Sequence, residues 1–255
     1  MSETCRLVSD TGITKAGKSF ANLFLLGILA GAYIALAAAG SMTVACNLLA
    51  NPETFGLGRC LAGIIFPGGL ILVMIARAEL FTGNTMMLLP LAQRRVTFYA
   101  MLRNWGIVYA GNFAGSIFVA LLVCYAGQLY GGNYLIGISN LIGGVTISTA
   151  ATKCSLTLWE AFLLGILCNW LVCLAIWMAV STKDAADKIL VIVFPIWLFV
   201  AAGFEHSVAN MYFIPAGLFA AQFPALIESA ATIVQSEVLE SLTWTKFFSQ
   251  QTCCR

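Results

Sequence analysis

His206 is the only histidine in 255 residues, and it stands beside Glu205 in the middle of an apolar run. Imidazole has the ordinary pKa nearest neutrality, so it can exchange a proton with a passing weak acid or its anion. An ionisable group at mid-membrane costs about 3 kcal/mol on insertion scales, which makes function the default reading and a neutral, carbonyl-bonded ring the structural alternative. Asn210 follows Glu205 at an offset of five residues, and the same offset separates Glu79 from Asn84 in the first half of the chain. The two glutamates therefore share one duty, either chemical or, as acceptors of N–H bonds from unwound backbone, structural. Thr82 lies inside the first of these segments, and Asn169 lies in the middle of a fourth apolar run. Both can donate a hydrogen bond to an anion without a charge to trap it, and helix packing is their bland use. Lys153 stands alone before that fourth run, where it raises local anion concentration or snorkels at an interface. Arg77 precedes Glu79 by two residues and cannot face it on a helix, so its partner must come from elsewhere, Glu205 being the candidate.

These groups sit in an apolar mass. The chain is 60% hydrophobic and 9% charged, with a mean hydropathy of +0.92, whereas soluble domains carry roughly 25% charged residues. An all-α integral membrane protein is predicted. With 13 basic and 11 acidic residues the net charge is +2, which leaves no basic excess to hold nucleic acid. The nine cysteines are an odd number without CxxC or Cys/His metal spacing, so neither a disulfide framework nor a metal site is expected. No nucleophile–base pair, phosphate loop, dinucleotide fingerprint or zinc motif supports an enzyme, and no cofactor is implied.

A bilayer is crossed by about 20 apolar residues, and five runs qualify: 20–46, 60–92, 104–127, 157–182 and 188–222. The second and fifth are interrupted at Arg77–Asn84 and Gly203–Asn210. Polar backbone at that depth is tolerated where it lines a cavity, so both runs read as broken helices. Arg6, Lys15, Lys18, Arg94, Arg95, Arg103, Lys183 and Lys188 fall on one side. The positive-inside rule makes that side cytoplasmic, together with the N-terminal segment 1–19. The Gly/Ser/Thr-rich stretch 131–152 reads as an extracytoplasmic loop, and 223–255 as an irregular segment on the same outer side. Gly27-Ile28-Leu29 and Gly165-Ile166-Leu167, with the paired Glu/Asn segments, mark an inverted repeat whose site lies at the midplane. By that repeat the third run should have a counterpart, and this sixth span is missing. Gly27-x-x-x-Gly31 and Gly111-x-x-x-Gly115 are faces for close helix packing.

Three stretches carry a family resemblance: Glu79–Asn84, Cys168–Met178 and Phe199–Met211. Over about residues 20–248 the chain closely resembles the formate/nitrite transporter family. The resemblance implies an aquaporin-like protomer with its own pore, in a homopentamer embedded in the lipid bilayer of the inner (plasma) membrane. It implies passage of a small monovalent anion of a weak acid, formate or nitrite first, together with a proton. Hydrosulfide or acetate, or a truncated non-conducting member lacking the sixth span, are the alternatives. His206 would be the central histidine, Thr82 the threonine of the mobile loop, Asn169 the pore asparagine and Lys153 the vestibule lysine, with Glu205 and Asn210 completing the pathway. Phe66, Phe81 and Phe199 would form the outer constriction, and Leu70, Leu80 and Val172 the inner one. Arg77 departs from the pattern, standing where a small residue is expected. An anion entering such a ring loses hydration worth several kcal/mol, which a neutral acid largely avoids. The expected mechanism follows: Lys153 attracts the anion, Thr82, Asn169 and half-helix N-termini hold it, and His206, with Glu205, governs its protonation.

Overall fold

A computed structural model describes residues 3–129 and 136–253. The first half of the chain forms α1 (Glu3–Ala16), α2 (Phe20–Leu49), α3 (Phe55–Ile65), α4 (Pro67–Ile75), α5 (Phe81–Asn84), a 3-10 turn at Thr85–Met87, α6 (Leu88–Ala92) and α7 (Phe98–Tyr125). The second half forms α8 (Ile136–Ser155), α9 (Leu158–Ser181), α10 (Ala185–Ala202), α11 (Ser207–Ala220), α12 (Pro224–Ala231), α13 (Ser236–Glu240) and α14 (Trp244–Cys253). Five helices among the described residues are long and apolar enough to cross a bilayer: α2, α3 with α4 as one 21-residue span, α7, α9 and α10. They match the five runs expected, and the chain is an all-α, multi-pass membrane protein. Local chemistry starts these helices. Ser19, Thr97 and Thr157 accept backbone N–H bonds as N-caps, and Thr157 forms a reciprocal capping box with Glu160.

Small residues set the central contact between α2 and α7. A Cβ on Gly31 would lie 2.1 Å from the Asn112 carbonyl oxygen, and one on Gly115 would lie 2.0 Å from that of Ile28. No side chain fits there, because the two backbones touch. Lipid supplies no hydrophobic drive to hold helices together, so such close dispersion contact and hydrogen bonds must do it. Ser116 adds one of those bonds, Oγ donating to Gly31 O at 3.2 Å.

The inverted repeat is visible in the backbone. Helix α4 ends at Arg77, with φ 53°, and the Ala78 N–H closes back to Val73 O at 2.9 Å. Helix α10 ends at Gly203, with φ 83°, and the Phe204 N–H closes back to Phe199 O at 3.1 Å. These are the same left-handed C-terminal caps, one in each half. After each, a short extended segment leads into α5 or α11, giving an aquaporin-like repeat with two broken helices.

Two segments correct the sequence reading. Where a loop is expected over 131–152, residues 136–155 form α8, packed against α11 and α12; residues 131–135 lie outside the described residues. The polarity that suggested a loop is consumed inside the helix. Thr146, Ser148 and Thr152 donate their hydroxyls to the carbonyls of Ile142, Gly144 and Ser148, each at 2.8 Å. The segment 223–255, expected to be irregular, likewise forms α12, α13 and α14 over Pro224–Cys253, and Phe247 is buried against Cys154 and Ile214.

Candidate functional site

Each break carries the same polar cluster. In the first, the Asn84 Nδ2 donates to Glu79 Oε2 at 2.9 Å, and Lys15 and Lys18 reach Glu79 at 3.1 and 2.6 Å. In the second, the Asn210 Nδ2 donates to Glu205 Oε2 at 2.7 Å, and the Lys153 Nζ donates to both Glu205 oxygens at 2.8 and 2.9 Å. The equal Glu-to-Asn offset therefore puts the amide on the carboxylate in both halves. Both glutamates are buried, so their charges are held by an amide with two lysines at Glu79 and one at Glu205 rather than by water.

Break one has further support that the sequence reading missed. Asn112 of α7, fully buried, donates to Gly27 O at 2.8 Å and Glu79 O at 2.9 Å, while its Oδ1 accepts the Phe81 N–H at 2.9 Å. Asn104 accepts from Asn84 at 2.8 Å and donates to Lys15 O at 3.3 Å. An asparagine inside an apolar span is the one signal that could have marked these residues, since an unpaired amide there is costly. Lys15 and Lys18 came into view only as topology charges.

Arg77 does not meet Glu205, as the sequence reading proposed; Glu205 is paired with Lys153, and Arg77 has no ion pair among the described residues. Its distinction is conformational. A positive φ costs a non-glycine residue about 1 kcal/mol or more, and the equivalent place in the second half holds Gly203. The expectation of a small residue thus has its cause in the backbone. An Arg77→Gly substitution is expected to stabilise the protein by about 1 kcal/mol, read as a rise of about 2–4 °C in melting temperature in detergent. A fall would show that the arginine side chain holds the break.

His206 is the N-cap of α11. Its Nδ1 accepts the Ala209 N–H at 3.0 Å, so that nitrogen carries no proton. The neutral ring then holds its proton on Nε2, which lies 3.1 Å from Thr82 Oγ1 and donates to it. This bond crosses the centre of the molecule, joining break two to α5. The ring lies parallel to Phe199, with centroids 5.8 Å apart.

Three cavities are lined by these residues, a central one sharing Glu205 and His206 with the largest of the three. The largest, about 280 Å³, is lined by Arg59, Lys153, Glu205, His206, Phe66 and Phe199 among others. A second, about 30 Å³, lies between Thr82, Cys168, Asn169 and His206. A third, about 40 Å³, lies between Lys15, Gly83, Asn84 and Ile176. Since one water needs about 10–15 Å³ of such space, the two small cavities hold little more than a small anion. Phe66 meets Phe199 edge-on at 5.6 Å in the lining of the large cavity. Phe81 instead sets its edge against Tyr109 and Trp105 of α7, at 5.1 and 6.1 Å. Leu70, Leu80 and Val172 are buried in the same core.

Asn169 is placed differently from its expected use. Its Nδ2 donates to Thr85 Oγ1 at 3.2 Å, and the Thr85 hydroxyl is itself committed to Thr82 O at 2.7 Å. The amide orientation is thereby set, and Asn169 Oδ1 is the atom left without a partner beside the central cavity among the described residues. The amide thus offers an acceptor rather than a donor.

Residues 2–253 match the family model described as "Formate/nitrite transporter". The chain is 41% identical over 221 residues to the formate channel FocA of Haemophilus influenzae, covering 87% of this chain and 75% of that protein. It is 36% identical over 255 residues to a probable formate transporter of Methanothermobacter thermautotrophicus, covering 96% and 86%. Among solved structures it resembles a pentameric formate channel with formate bound, at a TM-score of 0.75 and 32% identity over 90% of this chain and 87% of that one. A second, an FNT family ion channel, gives a TM-score of 0.74 and 30% identity over 97% of each chain. The chain belongs to the formate/nitrite transporter family, whose members are membrane channels and not enzymes.

Proposed function

We propose that the chain passes formate, and nitrite in the same way, through each protomer of a homopentamer in the plasma membrane, with its N-terminus cytoplasmic and a proton accompanying the anion. The observation that carries this reading is the His206–Thr82 bond, which sits where the large and the central cavity meet. Thr82 accepts from His206 Nε2, and among the described residues its own hydroxyl proton has no other acceptor. It is therefore free to donate to an anion oxygen in the central cavity. Asn169 Oδ1, across that cavity, suits an O–H donor. Together the pair fits a small acid in its protonated form, the carbonyl oxygen on Thr82 and the acid O–H on Asn169. The proton cannot come from a neutral ring capped at Nδ1 without leaving an imidazolate, so it arrives with the acid from the large cavity, and His206 sharpens Thr82 as donor. Glu205, by holding Lys153 and Asn210, fixes the break that places His206.

Flux into liposomes tests the reading. Purified protein in vesicles loaded with a pH dye should acidify the lumen within seconds of an inward formate or nitrite gradient, faster at lower external pH. Rates equal to those of protein-free vesicles for both anions would overturn it.

A further inference from the structure

Three formal charges line the large cavity: Lys153, Glu205 and Arg59. Lys153 is held by both carboxylate oxygens of Glu205, at 2.8 and 2.9 Å, so that pair is close to neutral from outside. Arg59 makes no ion pair among the described residues. Its Nε donates to Val200 O at 3.0 Å, its Nη2 donates to the same oxygen, and its guanidinium lies 5.9 Å from the Phe55 ring. Among the described residues no acceptor faces its Nη1. The cavity's unbalanced positive charge therefore resides on Arg59.

Position and shape strengthen the case. Val200 lies in the last turn of α10, so Arg59 caps the negative end of a half-helix. Gly203 makes room: a Cβ there would stand 2.8 Å from Arg59 Nη2. The glycine at the break thus serves both a left-handed backbone and a guanidinium packed over it. A guanidinium is a rigid fork of N–H donors that matches two oxygens on one atom, whereas an ammonium is a point charge.

Resting on the reading of anion passage, we propose that Arg59, rather than Lys153, receives the incoming ion in the large cavity. The ligand class is a planar oxyanion with two oxygens on one centre, such as formate, nitrite or acetate. It docks on the free N–H groups of Nη1 and Nη2 before the Phe66–Phe199 contact, and this step favours it over single-point anions such as hydrosulfide or chloride. Lys153 serves to hold Glu205.

The test uses the full chain in liposomes, with formate flux measured against formate concentration and ionic strength. Arg59→Gln is expected to raise the half-saturating formate concentration about tenfold and to flatten its dependence on salt. Arg59→Lys keeps the charge, and so most of the salt dependence, but loses the preference for formate over hydrosulfide. Lys153→Gln paired with Glu205→Gln, which removes one cation and its anion together, retains the salt dependence of the wild type. Wild-type half-saturation and salt response in Arg59→Gln would overturn the proposal. A second measurement stands apart from transport and from the folding of any variant: modification of Arg59 by phenylglyoxal in the wild-type protein, read by peptide mass spectrometry. Formate should slow it several-fold relative to chloride at equal ionic strength; no protection beyond chloride would overturn the proposal even where flux is normal. Wild-type protein that carries no formate but protects Arg59 would overturn the transport reading alone.

Discussion

A His206→Asn chain is expected to carry formate about 2–10 times more slowly at pH 7 than the wild type, the loss of one neutral hydrogen bond of about 0.5–1.5 kcal/mol. Its flux should still rise as external pH falls, because the proton arrives with the acid and not from the ring. The choice of asparagine follows from the geometry. His206 has two bonds with separate duties: Nδ1 caps α11 through the Ala209 N–H, and Nε2 donates to Thr82. Asparagine is among the best N-cap residues, so the helix keeps its start. What is removed is the donor to Thr82 and the only imidazole in the chain. Alanine would remove the cap as well and add about 1 kcal/mol of destabilisation. Comparing the two in the same vesicles separates transport from folding. An asparagine variant with the wild-type rate at every pH would remove His206 from the mechanism.

The second large effect is structural. Asn112→Ala strips the Glu79 carbonyl and the Phe81 N–H of their Asn112 partner and takes the second bond from the Gly27 carbonyl, which keeps its helical one. No water reaches the site to replace them, since the residue is fully buried. The expected cost is roughly 2–4 kcal/mol, between the penalty for orphaned groups and the smaller values measured inside membranes. At this chain length that is a fall of about 5–15 °C in melting temperature. Asn112→Asp should be no better, because an ionised carboxylate cannot donate to the two carbonyls. Ser116→Ala, which removes a single 3.2 Å bond to Gly31 O, is the matched control and should cost about 1 kcal/mol or less. Equal melting of the two variants would show that Asn112 does not hold break one.

These two sites mark the limits of what could be read without coordinates. His206, Glu205 and Asn210 were legible because polar residues in an apolar run have few explanations. The Glu-to-Asn offset of five residues was legible as a repeat, and its cause proved to be a direct side-chain bond in each half. The stretch 131–152 was misjudged because hydropathy counts a hydroxyl as polar even where it is spent on its own helix, as in Thr146, Ser148 and Thr152. Asn112 carries only the signal of an amide in an apolar run and Arg59 carries none, and the partners that give each its role lie 31 to 141 residues away.

By itself the sequence determined the membrane setting, the five long apolar helices, the two breaks and the residues crowded into them. All of these follow from where a chain with 9% charged residues can afford to put its charges. Only the tertiary structure decided which charges are spent and which are left over. Lys153 looks free in the sequence and is bound to Glu205 in space, while Arg59 looks unremarked and keeps its charge to itself. The physical reason is that a charge in a low-dielectric interior is defined by what lies within a few ångströms of it, and in a folded chain those neighbours come from distant segments.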